Sequence, residues 1–180
     1  EALELTRAAK ACGTDATLQV SPYYNKPNQE GLYRHFAAVA DLGLPVVLYN
    51  IPGRCGVEIA IDTVVKLSRH PNIMAIKEAG GNVARVSQIL QNCELCVLSG
   101  DDPLTLPMMA VGARGVISVA SNAAPLLVAQ LVHAALQNDW AQARELHRKC
   151  FRFFTDIFLD TNPIPIKAAL AIQGLISEVY

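Results

Sequence analysis

The residue with the most informative chemistry is Lys77, which ends the apolar segment Ile73-Met-Ala-Ile-Lys77. Such a segment is typical of a buried strand, and burial favours the neutral, nucleophilic form of an amine. The natural electrophile for that amine is a ketone, and the product is a Schiff base. The alternative is a lysine that extends its ammonium group past the strand end to water. Glu78-Ala-Gly-Gly81 follows at once and leaves little length for that escape, which favours the Schiff-base interpretation.

Two further side chains with useful chemistry lie in Leu48-Tyr-Asn-Ile-Pro-Gly-Arg54. Beside a Schiff-base lysine, the phenol of Tyr49 could relay protons. Arg54, on a Pro-Gly turn, offers a planar fork to a carboxylate. Each also has a plainer explanation, because a strand-end phenol can be a core residue and a loop arginine is usually solvated. From the residues alone, both interpretations stay open.

Two loops add candidates of a different kind. Ser21-Pro-Tyr-Tyr-Asn-Lys-Pro27 carries Tyr23 and Tyr24, whose side chains cannot point the same way, so one can face a site and the other a neighbouring subunit. Gly100 permits close approach of the backbone to a ligand. The acidic pair Asp101-Asp102 is best interpreted as a helix N-cap. The histidines fall on predicted helices or their ends, so we expect no metal site.

The elements that must position these residues alternate along the chain. Strands are predicted near 17–21, 44–50, 73–77, 95–99 and 115–119. Between them, helices are predicted near 1–12, 28–40, 60–69, 82–91 and 103–111. After Asn122 the strand pattern stops, and helices are predicted at 124–137, 139–158 and 163–176.

This alternation predicts an α/β fold with parallel strands. An open doubly wound sheet would be expected to carry G-x-G-x-x-G, which is missing from the sequence. Polar or reactive residues instead follow each predicted strand, where (β/α)8 barrels place their active sites. The barrel is therefore favoured, although the five predicted strands cannot close one by themselves.

Composition excludes several classes of partner. The formal net charge is −1 over 180 residues, so neither nucleic acid nor an anionic membrane surface is expected to bind. No apolar run approaches the roughly 18 residues of a membrane span. The five cysteines are odd in number and scattered, which suits a reducing compartment and predicts a cytoplasmic protein. The chain lacks an initiator Met, so we expect the true start to lie upstream.

Several segments together resemble the dihydrodipicolinate synthase and N-acetylneuraminate lyase family of class I, Schiff-base aldolases. The matching stretches, in family order, are Ser21-Pro-Tyr-Tyr-Asn-Lys-Pro27, Leu48-Tyr-Asn-Ile-Pro-Gly-Arg-Cys-Gly56, Ile76-Lys-Glu-Ala79, Leu98-Ser-Gly-Asp-Asp102, Gly115-Val-Ile-Ser-Val119 and Asn162-Pro-Ile-Pro-Ile-Lys167. The resemblance implies a (β/α)8 TIM barrel with a C-terminal helical extension. By position, strands four to eight are present, so residues 1–123 are a partial catalytic barrel and 124–180 an incomplete extension.

The same resemblance implies roles for individual residues. Lys77 would form the Schiff base with pyruvate, and Tyr49 would be the proton-relay phenol. Arg54 would bind the carboxylate of the second substrate. Gly100 and Ile117 would line the pyruvate pocket. The family's Gly-x-Thr-Thr segment is missing from this sequence, so we expect the chain alone to be inactive.

The family is also usually a homotetramer, a dimer of tight dimers. Tyr24 matches the catalytic phenol that reaches across the tight-dimer interface into the partner's site. Tyr23 and Glu1 match positions that bind inhibitory lysine in some members.

The activity implied is condensation of pyruvate with aspartate semialdehyde to 4-hydroxy-tetrahydrodipicolinate, in lysine and diaminopimelate biosynthesis. It is a lyase reaction that needs no cofactor beyond the covalent Schiff base. The arginine of Pro-Gly-Arg54 and the doubled tyrosine favour this activity over neuraminate cleavage. Two alternatives stay open: another pyruvate-dependent lyase of the family acting on N-acetylneuraminate or a keto-sugar acid, and a non-catalytic barrel scaffold.

Overall fold

A computed structural model of the chain describes residues 1–178, which divide into two compact units. The first unit comprises Glu1–Leu98 and Val111–Ala113. The second comprises Ser99–Ala110 and Arg114–Tyr180, whose last two residues lie outside the described part. None of the helices formed by residues 1–178 combines the length and apolar composition needed to cross a membrane.

The sheet of the described chain has the order β1-β2-β3-β4. Its strands are β1 (Thr17–Val20), β2 (Val46–Asn50), β3 (Ile73–Glu78) and β4 (Cys96–Ser99). The pairs β1–β2 and β2–β3 are parallel, as predicted. Strand neighbours are also sequence neighbours, which is the arrangement that successive βαβ units produce.

The predicted fifth strand at 115–119 is wrong. Within the second unit, this segment makes a single parallel bridge between Ser99 and Val116, and Ile117 N donates to Ser99 O at 2.9 Å. The ladder stops there because the next amides, of Val119 and Ala120, donate to the carboxylate of Asp102. A short 3₁₀ turn, Ala120–Asn122, then follows the segment.

The helices in residues 1–178 follow the predicted order closely. They are α1 (Ala2–Ala11), α2 (Gln29–Ala40), α3 (Pro52–Cys55), α4 (Ile61–Leu67), α5 (Ala84–Asn92), α6 (Thr105–Ala110), α7 (Pro125–Leu136), α8 (Trp140–Asp156) and α9 (Ile164–Ile172). The short α3 was not predicted. Its sequence explains it, because Pro52 suits the first helical position and Gly56 ends the turn with φ 65°.

Helix α2 illustrates how local sequence fixes these elements. Asn28 caps it by accepting a hydrogen bond from Gly31 N at 2.9 Å, as predicted. Leu32, Phe36 and Val39 are fully or almost fully buried on one face, at the helical spacing expected. The buried face of α2 therefore belongs to the core of the first unit.

The second unit has a separate core. One cluster of buried residues forms this core: Ala120, Val128, Leu131, Cys150, Phe154, Ile157 and Ile166. The predicted helices after Asn122 are confirmed by α7, α8 and α9. The last of them ends at Ile172, and Gly174 follows with φ 72°, so the predicted extension of this helix to 176 is too long.

Candidate active site

Lys77 and Tyr49 lie together at the carboxyl ends of β3 and β2. They are register partners in the parallel pair, so their side chains leave the sheet on the same face. The Lys77 side chain is buried, with 8% of its surface exposed. Its Nζ lies 4.1 Å from the centroid of the Tyr49 ring. The two residues predicted to share a reaction site are therefore neighbours.

Tyr49 is half-buried, and its surroundings act on its acidity in opposite directions. Burial raises the pKa of the Tyr49 phenol, the positive charge of Arg54 lowers it, and the Cys55 thiol raises it further. The net direction is upward, so the phenol keeps its proton through the neutral range. A protonated phenol beside an amine can both donate and accept in a proton relay.

Arg54 is exposed in the short helix α3, which directly follows β2. The next residue, Cys55, is buried and donates its thiol to Ser21 O at 3.4 Å. This contact ties α3 to the start of the tyrosine loop. Arg54 thus combines an anchored backbone with an accessible guanidinium, which suits a carboxylate-binding group.

Tyr23 and Tyr24 are exposed by 67% and 93% on the loop after β1. Tyr23 and Glu1 line one open groove of about 520 Å³ alongside β1, together with residues of α1. The structure therefore brings together the two residues matched to the lysine site. Tyr24, at 93% exposure, has the accessibility that a contact with another subunit requires.

A buried polar cluster behind Lys77 was missed by the sequence analysis. Glu78 is fully buried and accepts hydrogen bonds from Asn50, Gly80 N and Arg85. The sequence contained a signal for this cluster. In the register that aligns Tyr49 with Lys77, the next residues of the two strands, Asn50 and Glu78, are aligned as well. A polar pair at aligned positions predicts a contact on the opposite face of the sheet.

The second unit holds the remaining predicted residues, Gly100 and Ile117, both half-buried. The predicted N-cap role of the acidic pair is wrong for Asp102. Its carboxylate, on a side chain with 2% exposure, accepts from the Ser118 hydroxyl and from the amides of Val119 and Ala120. Asp102 was misassigned because the donors that it binds are 16 to 18 residues away in sequence.

The surroundings of the neighbouring carboxyl, that of Asp101, shift its pKa upward. Burial raises the pKa of Asp101, a hydrogen bond from the Leu104 backbone lowers it, and the negative charge of Asp102 raises it. Among residues 1–178, no group of three or more His, Cys, Asp or Glu side chains is arranged to hold a metal ion. Of the acidic pair, Asp102 is buried and Asp101 is half-buried.

Replacing Asp102 by asparagine should lower the free energy of unfolding of the full-length protein by about 1.5–3 kcal/mol. Asparagine carries no charge, so the hydrogen bonds from the Val119 and Ala120 amides lose their charge assistance, and the Ser118 hydroxyl must turn from donor to acceptor. The measurement is urea-induced unfolding. Asp139→Asn is the control, because exposed Asp139 caps α8 through Gln142 N, and asparagine is an equivalent cap. Equal midpoints for the two variants would contradict the anchoring role of Asp102.

A family model and the sequence relatives of the chain point to the same family. The model of the dihydrodipicolinate synthetase family matches residues 1–180. A 4-hydroxy-tetrahydrodipicolinate synthase of Persephonella marina is 50% identical over 183 residues, covering 99% of this chain and 62% of the relative. The chain thus spans about 62% of the length of such relatives.

Solved structures agree with the sequence relatives. The dihydrodipicolinate synthase of Aquifex aeolicus superposes with a TM-score of 0.97 at 48% identity, covering 99% of this chain and 62% of that one. The chloride-inhibited enzyme of Acinetobacter baumannii, solved with pyruvate, superposes with a TM-score of 0.94 at 46% identity, covering 97% and 61%. These likenesses support the TIM-barrel fold class and, with the family match, establish that the chain belongs to the dihydrodipicolinate synthetase family.

Proposed function

We propose that the full-length protein is a 4-hydroxy-tetrahydrodipicolinate synthase, a Schiff-base lyase that condenses pyruvate with aspartate semialdehyde. The observation that carries the proposal is the pair formed by buried Lys77 and the Tyr49 ring, 4.1 Å apart at two adjacent strand ends. The amine supplies the nucleophile for imine formation from a ketone, and the neighbouring phenol supplies a group that can donate and accept a proton.

The chemistry assigned to this pair uses groups of the chain itself. The neutral amine of Lys77 attacks the ketone carbon of pyruvate, and the C–O π bond becomes a carbinolamine hydroxyl. Protonation of that hydroxyl through Tyr49 lets water leave, and the C=N bond forms. The Tyr49 phenolate then takes a methyl proton, which gives an enamine, and the enamine carbon attacks the aldehyde of the second substrate as the aldehyde oxygen takes up a proton. The covalent imine acts as the electron sink, so the reaction needs no further cofactor.

In the proposed protein, Gly100 and Ile117 of the second unit line the pocket for pyruvate. Ile117 N is part of the Ser99 bridge, which fixes its backbone, and Gly100 lacks a side chain that would obstruct a ligand. Tyr23 and Glu1 form the lysine-binding site within their common groove. The family match supports these assignments, and each is a separate target for mutation.

The proposal includes an architecture and an assembly. Residues 1–123 supply the region of strands four to eight of the barrel, with the single bridge at Val116 in place of a full eighth strand. Residues 124–180 supply part of the helical extension, and Tyr24 acts across a tight dimer within a homotetramer. The 62% coverage of relatives supports the partial barrel. The high exposure of Tyr24 supports the intersubunit role. The free cysteines support a cytoplasmic location for this step of lysine and diaminopimelate biosynthesis.

A two-substrate assay tests the proposed function. The full-length protein should consume pyruvate and aspartate semialdehyde in equal amounts, and aldehydes derived from sugars should not replace the semialdehyde. Cleavage of N-acetylneuraminate or of a keto-sugar acid at a comparable rate would favour a different lyase of the family. Absence of any reaction with pyruvate would favour the scaffold alternative.

Arg54→Ala should raise the KM for aspartate semialdehyde about ten- to a hundredfold, because a charge-assisted pair with the carboxylate is lost. Labelling of Lys77 by pyruvate should stay nearly intact, since the lysine reacts before the aldehyde binds. Arg54→Lys should recover only part of the loss, because an ammonium cannot reproduce the bidentate fork. Equal loss toward both substrates would contradict the carboxylate-binding role of Arg54 and favour a loop-holding one.

A further inference from the structure

We propose that the buried cluster of Glu78, Asn50 and Arg85, called here the carboxylate anchor, holds Tyr49 over Lys77 by fixing the register of β2 and β3. The inference rests on the proposed function, because it assigns positioning residues to that reaction. The anchor residues act through the two strands and not through contact with substrate.

The carboxylate of Glu78 is saturated with donors. Asn50 Nδ2 lies 2.8 and 3.1 Å from its two oxygens, Gly80 N lies 2.8 Å from Oε1, and Arg85 Nε lies 3.1 Å from Oε2. Glu78 and Asn50 are fully buried, and Arg85 is 5% exposed. Such a site holds one arrangement, because displacing any member leaves a buried donor or charge without its partner.

The anchor and the reactive pair occupy consecutive positions on the same two strands. Tyr49 is aligned with Lys77, and Asn50 with Glu78. Because successive side chains point to opposite faces, the reactive pair lies on one face and the anchor on the other. The alignment of Asn50 with Glu78 therefore dictates the alignment of Tyr49 with Lys77.

The β2–β3 pair needs such a device because its register is irregular. Val46 is aligned with Ile73 but Val47 with Ala75, so β3 carries one extra residue near its start. A slip of one residue in a sheet moves every following side chain to the other face. The strands are otherwise apolar on both faces, so a one-residue slip would still place apolar side chains on each face, and the alternation that sets register in half-buried strands is missing. The anchor supplies a polar match that only one register satisfies.

Arg85 extends the anchor to the loop between α3 and α4. Its NH2 group donates to Ile59 O at 2.8 Å, and its NH1 group lies 2.9 Å from Glu58 Oε2. Asn50 Oδ1 accepts from Ile59 N at 3.0 Å. The loop that follows Arg54 is thereby fixed to the same cluster as the end of β3.

Gly80 reveals how closely the chain surrounds the carboxylate. A Cβ at Gly80 would lie 2.7 Å from Glu78 Oε1 and 3.4 Å from Asn50 Nδ2. Alanine at this position would push the carboxylate away from Asn50 without altering any charge. Gly80→Ala therefore disturbs the anchor independently of its electrostatics.

The test measures the rate of imine formation per folded molecule in the full-length protein, by rapid quench with pyruvate and borohydride well below the melting temperature. Glu78→Gln should slow the reaction about 10- to 100-fold, the cost of a misplaced reacting group. Gly80→Ala should also slow the reaction. Glu30→Gln is the control, since Glu30 pairs with Arg34 and Lys66 on the exposed surface. The rate of this variant should stay within about twofold of the rate of the unaltered protein.

A double-mutant cycle separates positioning from general stability. If the anchor acts by aligning Tyr49 with Lys77, Glu78→Gln should lower the rate of imine formation by a much smaller factor in a Tyr49→Phe background than in the unaltered protein. Full additivity, or an unchanged rate in both Glu78→Gln and Gly80→Ala with only a lower melting temperature, would overturn the inference. Should Glu78→Gln not fold, the rate of imine formation in Gly80→Ala alone tests the inference: a slower rate supports it and an unchanged rate overturns it. Absence of labelling in the unaltered protein would remove the proposed function first, and this inference with it.

Discussion

Lys77→Ala should lower turnover of the full-length protein by about 10⁴-fold or more and abolish borohydride-dependent labelling by pyruvate. The expectation follows from the position of this amine, buried at a strand end with its Nζ 4.1 Å from the Tyr49 ring. Alanine removes the only atom of residue 77 that can form the C=N bond. Intact-mass spectrometry and the two-substrate assay measure the two effects.

The chain offers a matched control for this variant. Lys66 also lies over a tyrosine ring, with its Nζ 3.8 Å from the centroid of Tyr33, but its side chain is half exposed and pairs with Glu30. Lys66→Ala should leave labelling and turnover nearly unchanged. Comparable losses in both variants would indicate that lysine–tyrosine contacts support the fold, and that residue 77 has no special reactivity.

Tyr49→Phe should lower the rate of imine formation about 10²- to 10⁴-fold, the usual range for a lost general acid–base group. Phenylalanine keeps the ring that faces Lys77 and removes only the hydroxyl. Burial raises the pKa of Tyr49, so the hydroxyl is protonated at neutral pH, and any loss of activity from its ionisation should occur above the ordinary phenol pKa of about 10. Single-turnover quench measures the rate.

Tyr33→Phe is the control for the second prediction, because Tyr33 lies beneath a lysine at a similar distance, but that lysine, Lys66, is half exposed. Its rate should equal that of the unaltered protein. A Tyr49→Phe rate within about threefold of the unaltered protein would leave Tyr49 as a packing residue and contradict the proton-relay assignment.

Much of the fold was accessible from sequence because its signals are local. The apolar segment ending at Lys77 and the cap at Asn28 each depend on a few adjacent residues, and both predictions are confirmed. The pairing of Tyr49 with Lys77 followed from the rule that parallel strands bring their carboxyl ends together. The helix pattern after Asn122 followed from periodicity.

The predictions that failed depended on contacts between distant residues. The segment 115–119 has the apolar composition of a strand, but Asp102 captures the amides that would have continued the ladder. The same aspartate looks like an N-cap because its partners lie well beyond the next helix. Glu78 and Arg85 form a buried ion pair that neither residue reveals alone, since charged residues are usually exposed. Composition and periodicity do not report which distant donors meet a carboxylate.

The central claim, that Lys77 carries the covalent intermediate, is tested most directly by locating the trapped adduct. The full-length protein would be incubated with pyruvate, reduced with borohydride, digested and sequenced by tandem mass spectrometry. We expect reduced pyruvate on one residue, Lys77, within the peptide that contains Glu78. An adduct on Lys66 or Lys167 with Lys77 unmodified would contradict the account.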